Sequence, residues 1–291
     1  MSAPNLRLLS LGAGVQSTTL ALLAVEGVLP KPDAAIFADT QWEPRNVYEH
    51  LARLTDVLIS VGIPVYTITR GNIRADHLNT VNPFSSMPLF VHGKDGREAM
   101  GRRQCTNDYK LRCIREKTRE MLGYPKPARV PRKLYAETWV GFSTDEIHRV
   151  NDNRSPGYAK LTYPLLDLGM SRKDCQRWLT SRGWVVAKSA CIGCPFHGNR
   201  EWRDLRDNHP QEWADAVAFD TAMRNAPKGS RSGIRSKQFL HRSLLPLSIA
   251  PIDRVTRREW QDRQGDILDA IAEDGDPDGC SPYGCRSGEP T

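Results

Sequence analysis

Residues 6–26, LRLLSLGAGVQSTTLALLAVE, leave this chain the fewest options. A short apolar run, a glycine turn and a long apolar run follow one another directly. A strand that passes through Gly12 and Gly14 into a helix opened by Ser17 and Thr18 is a β–turn–α unit, and Gly27 is a suitable helix stop. Two further apolar runs, 34–38 and 64–69, alternate with a helix expected over 44–60, which has Pro44 in its first turn and Gly62 at its end. The order β-α-β-α-β calls for parallel strands joined by crossover helices. The expectation is an α/β fold with a doubly wound, mostly parallel sheet. A fourth strand is expected over 138–142, and helices over 107–122, over 171–181 with Ser171 as N-cap, and twice across 199–224. Residues 71–104 carry loop signals. We expect one nucleotide-binding domain over 1–225 and a C-terminal extension, basic then acidic, over 226–291.

A glycine turn that opens a helix is an anion site in waiting. Free N–H groups at the helix start and the positive end of its dipole both favour phosphate. A Walker A loop is excluded, because no lysine follows the second glycine. Gly12-x-Gly14-x-x-Ser17, with Asp39 at the end of the second strand, is compatible with a dinucleotide fingerprint. A pyrophosphate loop fits Ser17 and Thr18 better, because their hydroxyls add donors to the backbone amides. Ser17 is also a plain helix cap.

Charge and cysteine content narrow the partners. The formal net charge is +7, and residues 97–133 alone hold 12 Lys/Arg against 4 Asp/Glu. A stretch of that sign steers polyanions such as nucleic acid, or small phosphorylated substrates, and is equally a solvated helix face. No apolar run is long enough to span a membrane, and the N-terminal stretch lacks a secretory pattern, so a cytoplasmic protein is expected. Seven cysteines in such a chain read as metal ligands or thiols rather than disulfides. Cys191-Ile-Gly-Cys194 places two thiolates where one metal or cluster can take both. Cys113 and Cys175 sit in expected helices as small hydrophobes, and Cys280 and Cys285 lie in a polar tail.

The segments SLGAGVQST, FADTQWEP, RRQCTNDYK, GFSTDEIHR and SACIGCPFH occur in an order that resembles the phosphoadenosine phosphosulfate reductase-like branch of the PP-loop ATP pyrophosphatase superfamily. They span residues 10–197. The resemblance implies a PP-loop type of sheet with ATP, or a related adenine nucleotide, at the C-terminal strand edges. Ser10, Gly12, Ala13, Gly14, Gln16, Ser17 and Thr18 would hold the phosphates, with Asp39 and Thr40 near the nucleoside or a metal. Gln16 stands where the family's S-G-G-x-D-S loop has its aspartate. Asp145 or Glu146 would hold Mg²⁺, and Lys110 and Arg149 would neutralise phosphate charge. Cys105, Cys191 and Cys194 correspond to part of a [4Fe-4S] ligand set. Thr106 replaces the second cysteine of the family's tandem pair, and zinc held by these thiols with His197 is the alternative.

The function expected from this reading is activation of an acceptor, nucleic acid among the candidates, by adenylation for iron–sulfur-assisted sulfur transfer from a donor protein or sulfide. A sulfonucleotide reductase is the first alternative. The second is a nucleic-acid binding protein with a degenerate nucleotide site and structural zinc.

Overall fold

The computed structural model describes residues 3–79, 81, 86–93, 96–150, 155–225, 237–257 and 259–260. Cys280, Cys285 and the acidic end of the extension lie outside the described residues. The strands, numbered along the chain, are β1 (Leu6–Leu11), β2 (Ala34–Asp39), β3 (Val65–Thr69), β4 (Phe90–His92), β5 (Glu98–Met100), β6 (Ala136–Trp139), β7 (Ala159–Thr162) and β8 (Gln238–Phe239). The helices are α1 (Val15–Val25), α2 (Arg45–Ser60), α3 (Ile73–Leu78), α4 (Arg112–Met121), α5 (Pro164–Asp167), α6 (Arg172–Thr180), α7 (Asn199–Asn208) and α8 (Pro210–Asn225). A π-helix, Thr106–Leu111, leads into α4, and a 3₁₀ turn covers Thr144–Arg149. The described residues fall into two compact units, 3–70 with 106–189 and 71–105 with 190–260.

The first unit is α/β. Its five strands are all parallel, in the order β3-β2-β1-β6-β7. The chain runs outward from β1 through β2 to β3, then continues on the other side of β1 through β6 to β7. This reversal places a topological switch point between β1 and β6, where ligand crevices form in open α/β sheets. Helices cover both faces. Leu9, Leu11, Ala35, Phe37 and Trp139 face a core shared with α1, α2 and α6, whereas Leu8, Ala34, Ile36 and Ala136 pack with Ile114 of α4.

Local chemistry sets these elements. Helix α1 is buried along nearly its whole length: its apolar second half packs in the core, and the polar groups of its first turns are hydrogen-bonded. It ends where Gly27 takes φ 75°, with Gly27 N–H donating to Ala24 O and Val28 N–H to Leu23 O, a Schellman stop. Helix α2 buries Val47, Leu51, Leu54 and Leu58, one stripe at helical spacing, and Gly62 ends it in the same way. Ser171 caps α6 in a reciprocal box with Asp174.

The expected fourth strand is displaced. β6 occupies Ala136–Trp139 and pairs with β1 from Leu6↔Ala136 to Leu9↔Trp139, so Val140–Phe142 is already leaving the ladder. Gly141 explains the early exit. A Cβ there would lie 3.0 Å from Ser17 N and from Gln16 Cβ, and 3.1 Å from Gln16 C. The chain passes close over the first turn of α1, and any Cβ at this position would be crowded against backbone atoms. The fifth strand, β7, is a short mixed stretch (AKLT) that carried no periodic signal and is held only by its pairing to β6.

In the second unit β5, β4 and β8 form an antiparallel sheet, with β4 in the centre. β8 comes from the stretch expected to be a C-terminal extension. No helix among the described residues is long and apolar enough to cross a membrane.

Gly141→Ala tests the close approach. The added methyl meets backbone atoms that cannot rotate away, so the urea midpoint should fall by an amount equivalent to about 1–3 kcal/mol, with an unchanged m-value. An unshifted midpoint would show that the turn yields freely.

Candidate functional site

The turn between β1 and α1 is held from several sides. Ala13 sits at φ +53° while 1% exposed, a left-handed conformation that costs a non-glycine residue about 1–3 kcal/mol and therefore needs support. Ser17 Oγ accepts from Gly12 N–H (3.2 Å) and Gly14 N–H (3.3 Å) and lies 3.2 Å from Gly14 O. Ser189 Oγ donates to Gly12 O at 2.6 Å. Ser17 thus closes the turn on itself instead of presenting a hydroxyl outward. Thr18 N–H donates to Gly14 O, so the first-turn amides of Val15, Gln16 and Ser17 are the groups that helix geometry leaves without an intrahelical acceptor. The Thr18 hydroxyl is fully buried and meets His50 Nε2 at 2.9 Å. Ser10 Oγ, at the end of β1, is buried and has no hydrogen-bond partner among the described residues.

Beside the turn lies a buried polar network. Gln16 Nε2 donates to Glu146 Oε2 (3.0 Å) and Ser143 Oγ (3.3 Å), and Gln16 Oε1 accepts from Arg172 (3.0 Å). Arg149 pairs with Glu146 as well. An amide is the side chain that can donate to a carboxylate and accept from a guanidinium at once. An aspartate in this position would set two carboxylates together. Burial pulls the Arg172 guanidinium pKa down, although Glu146 and Asp145 oppose that shift. Glu146 is 3% exposed and committed to this network, whereas Asp145 is exposed and accepts the Arg172 backbone N–H at 2.9 Å. Of the two acids, Asp145 is the one open to a solvated cation.

A second cluster sits at the end of β2. Asp39 Oδ1 accepts from Tyr48 OH (2.8 Å) and Gln41 N–H (2.7 Å), and burial with this carboxylate raises the Tyr48 pKa. Thr40 Oγ1 donates to Glu43 Oε1 at 2.9 Å, and Lys110 Nζ lies 3.7 Å from the same oxygen. Lys110 and Glu43 are 5% and 3% exposed, so this ion pair is out of water. The π-helix delivers Lys110. Such wide turns recur at functional sites because they re-aim a side chain within a helix. Glu43, Tyr48 and His50 belong to these clusters but were not singled out in the sequence. Glu43 stood within FADTQWEP, and nothing local marked His50.

Thus Ser10, Gly12–Thr18, Asp39, Thr40, Lys110, Asp145, Glu146 and Arg149 all belong to the first unit, and Cys105, Cys191 and Cys194 to the second. Cys191 is buried; Cys105 and Cys194 are partly buried. The loop is a tight turn in which Cys194 N–H donates to Cys191 O at 3.0 Å, and His197 Nε2 donates to the same carbonyl at 3.0 Å. That bond ties the expected zinc-ligand ring into the loop backbone. Among the described residues no group of three or more His, Cys, Asp or Glu side chains is arranged to hold a metal ion. The three cysteines do not form a ready ligand set for a cluster or zinc. Mg²⁺ makes no such demand, because one or two carboxylates with substrate phosphates suffice.

Two measurements test this description. Lys110→Met should destabilise the fold by about 3 kcal/mol, because it leaves Glu43 charged in a dry site, and adding Glu43→Gln should recover most of that loss. Additive effects of the two substitutions would dissolve the pair. His50 and His241 are pH-sensitive in the same window: burial and Arg53 lower the His50 pKa from 6.5 to about 4, and burial and Arg242 lower that of His241 to about 4. The unfolded chain therefore binds the extra proton first. Stability should be flat above pH 6.5 and decline between pH 6.5 and 4. His50→Gln should show a shallower decline, and an equal one would remove the assignment.

No protein-family model matches the chain, and no curated protein matches it.

Proposed function

We propose that the chain is a PP-loop type enzyme that binds ATP, or a related adenine nucleotide, at the switch point between β1 and β6 and activates an acceptor by adenylation. The observation that carries this reading is the start of α1. Three first-turn amides, the helix dipole, the buried Ser10 hydroxyl and the Arg172 and Arg149 guanidiniums gather where an open α/β sheet takes its ligand. These groups suit the negative charge of a di- or triphosphate. Asp39 and Asp145 are the carboxylates available to a phosphate-bound Mg²⁺.

In the proposed reaction an acceptor oxygen attacks the α-phosphorus. The bond to the bridging oxygen breaks, pyrophosphate leaves and the acceptor carries AMP. A sulfide nucleophile then attacks the activated carbon, the C–O bond breaks and AMP departs. The protein contributes position and charge neutralisation, and no group needs to change oxidation state. A sulfur-handling role for Cys105, Cys191 and Cys194 belongs to the same proposal, but because they do not form a ready ligand set no step is assigned to a metal centre there.

A second reading, nucleotide binding without cleavage, is favoured by one feature. Gln16, in the position of the superfamily's loop aspartate, is locked between Glu146 and Arg172.

Calorimetry with ATP, and pyrophosphate release in the presence of Mg²⁺ and an oligonucleotide acceptor, separate these readings. The expected result is ATP binding that pyrophosphate competes away, with release that falls about tenfold or more in Asp145→Asn. Binding without release supports the second reading. Sulfite released from a phosphosulfate nucleotide would replace adenylation with reduction, and no nucleotide binding would end both proposals. Iron and zinc contents of anaerobically purified protein test the thiols separately.

A further inference from the structure

Helix α4 has a second face that none of the chemistry above uses. Its inner side buries Cys113, Ile114 and Thr118 against the sheet. Its outer side carries Arg112, Arg115 and Arg119, a spacing of three and then four residues, which keeps them along one side of the helix. Two grooves flank them. One, of about 450 Å³, runs between the end of β3 (Ile68, Thr69), α4 and Lys126; the other, of about 310 Å³, lies between α4, Asn107, Lys126 and Tyr158, with Glu116 among its lining. Glu116, Arg119 and Lys126 border both.

The grooves are basic. Arg112, Arg115, Lys117, Arg119 and Lys126 outnumber the two acids present, Glu116 and Glu120. Those acids are already engaged: Glu116 lies 3.6 Å from Arg112 and 2.8 Å from Lys126, and Glu120 lies 2.7 Å from Lys117. Arg112, Lys126 and Glu116 are about half exposed, and ion pairs at that exposure contribute at most about 1 kcal/mol. Such pairs exchange readily for phosphate. Past α4 the exposed segment 126–133 adds Arg129, Arg132 and Lys133. Aromatic rings lie among the cations: the Arg119 guanidinium is 5.4 Å from the Tyr158 ring and Lys117 Nζ is 4.3 Å from the Tyr66 ring.

We infer that this α4 face binds a single-stranded segment of nucleic acid, its phosphates on Arg112, Arg115 and Lys126 and a base stacked at Tyr158. Arg112 and Arg115 stand about one turn apart, roughly 4.5 Å of rise at ~1.5 Å per residue, which lets long side chains address neighbouring phosphates of one strand. Cations tracking a backbone beside an aromatic platform are the layout of sequence-tolerant strand binding. A groove of 310–450 Å³ admits a nucleotide-sized group, and an aromatic ring beside it favours unpaired bases that can stack. Naming this strand as the acceptor rests on the adenylation reading, but the binding itself does not.

The test uses the full chain without ATP, with a labelled 20-nucleotide single strand and the corresponding duplex, by fluorescence anisotropy at about 50 and 200 mM salt. The single strand should bind more tightly than the duplex and weaken steeply with salt. Arg112→Gln, Arg115→Gln and Lys126→Gln combined should lower affinity at least tenfold and reduce the log–log salt slope by about 0.7 per lost contact. Tyr158→Ala should weaken the single strand about tenfold or more and leave the salt slope unchanged. ATP binding measured on the same variants should be unaltered. That control keeps failure here distinct from failure of the nucleotide site. No binding at low salt, equal or better binding of duplex, or a triple variant indistinguishable from the parent overturns the inference.

Discussion

The first unit depends on one steric fact: Gly141 lets the chain leaving β6 cross the backbone of the first turn of α1. That approach lies where the chain leaving β6, already paired to β1, passes the helix start. With it, Ser143, Glu146 and Arg149 arrive within reach of Gln16, and Arg172 closes the group from the start of α6. A contact between two backbones therefore assembles a polar site from three distant stretches of sequence. The left-handed Ala13, clasped between Ser17 and Ser189, supports the same turn.

The site is dry and charged, and that combination constrains it. Glu146, Arg149, Arg172, Lys110 and Glu43 are all buried, and burial penalises each charge that lacks a partner. Gln16 is suited to this setting because a neutral amide joins a carboxylate to a guanidinium without adding charge of its own. The same property distinguishes it from a metal-binding aspartate. The Thr18 hydroxyl is turned to His50 and the Ser17 hydroxyl into its own turn, so the groups the helix start leaves over are backbone amides.

Much of the sheet was legible in the sequence because its strands are apolar runs and its helices stop at glycines. Gly27 and Gly62 do end α1 and α2 in left-handed turns, and Ser171 does cap α6. Less legible were elements defined by pairing alone. β7 has no pattern of its own, and β6 lies a few residues earlier than its apolar centre suggested because Gly141 had to be free of the ladder. The helix expected over 107–122 is there, but its first turns are π rather than α, a difference that propensity cannot register. At the site, residues beside a motif were found. Those that join it through space, such as His50, were not, because side-chain pairing across about 30 positions leaves no local trace; Glu43 stood inside a motif, but its pairing with Lys110 did not show.

The π-helix makes chain length a variable in its own right. An α-helix advances about 100° per residue, and a π turn takes up one residue more than an α turn. Removing a single residue of 106–109 would let the segment relax to the tighter helix, and Lys110 would shift relative to Glu43 while α4 kept its seat on the sheet. A one-residue indel in this segment therefore acts as a switch in geometry, where a conservative replacement beside it would pass almost unnoticed.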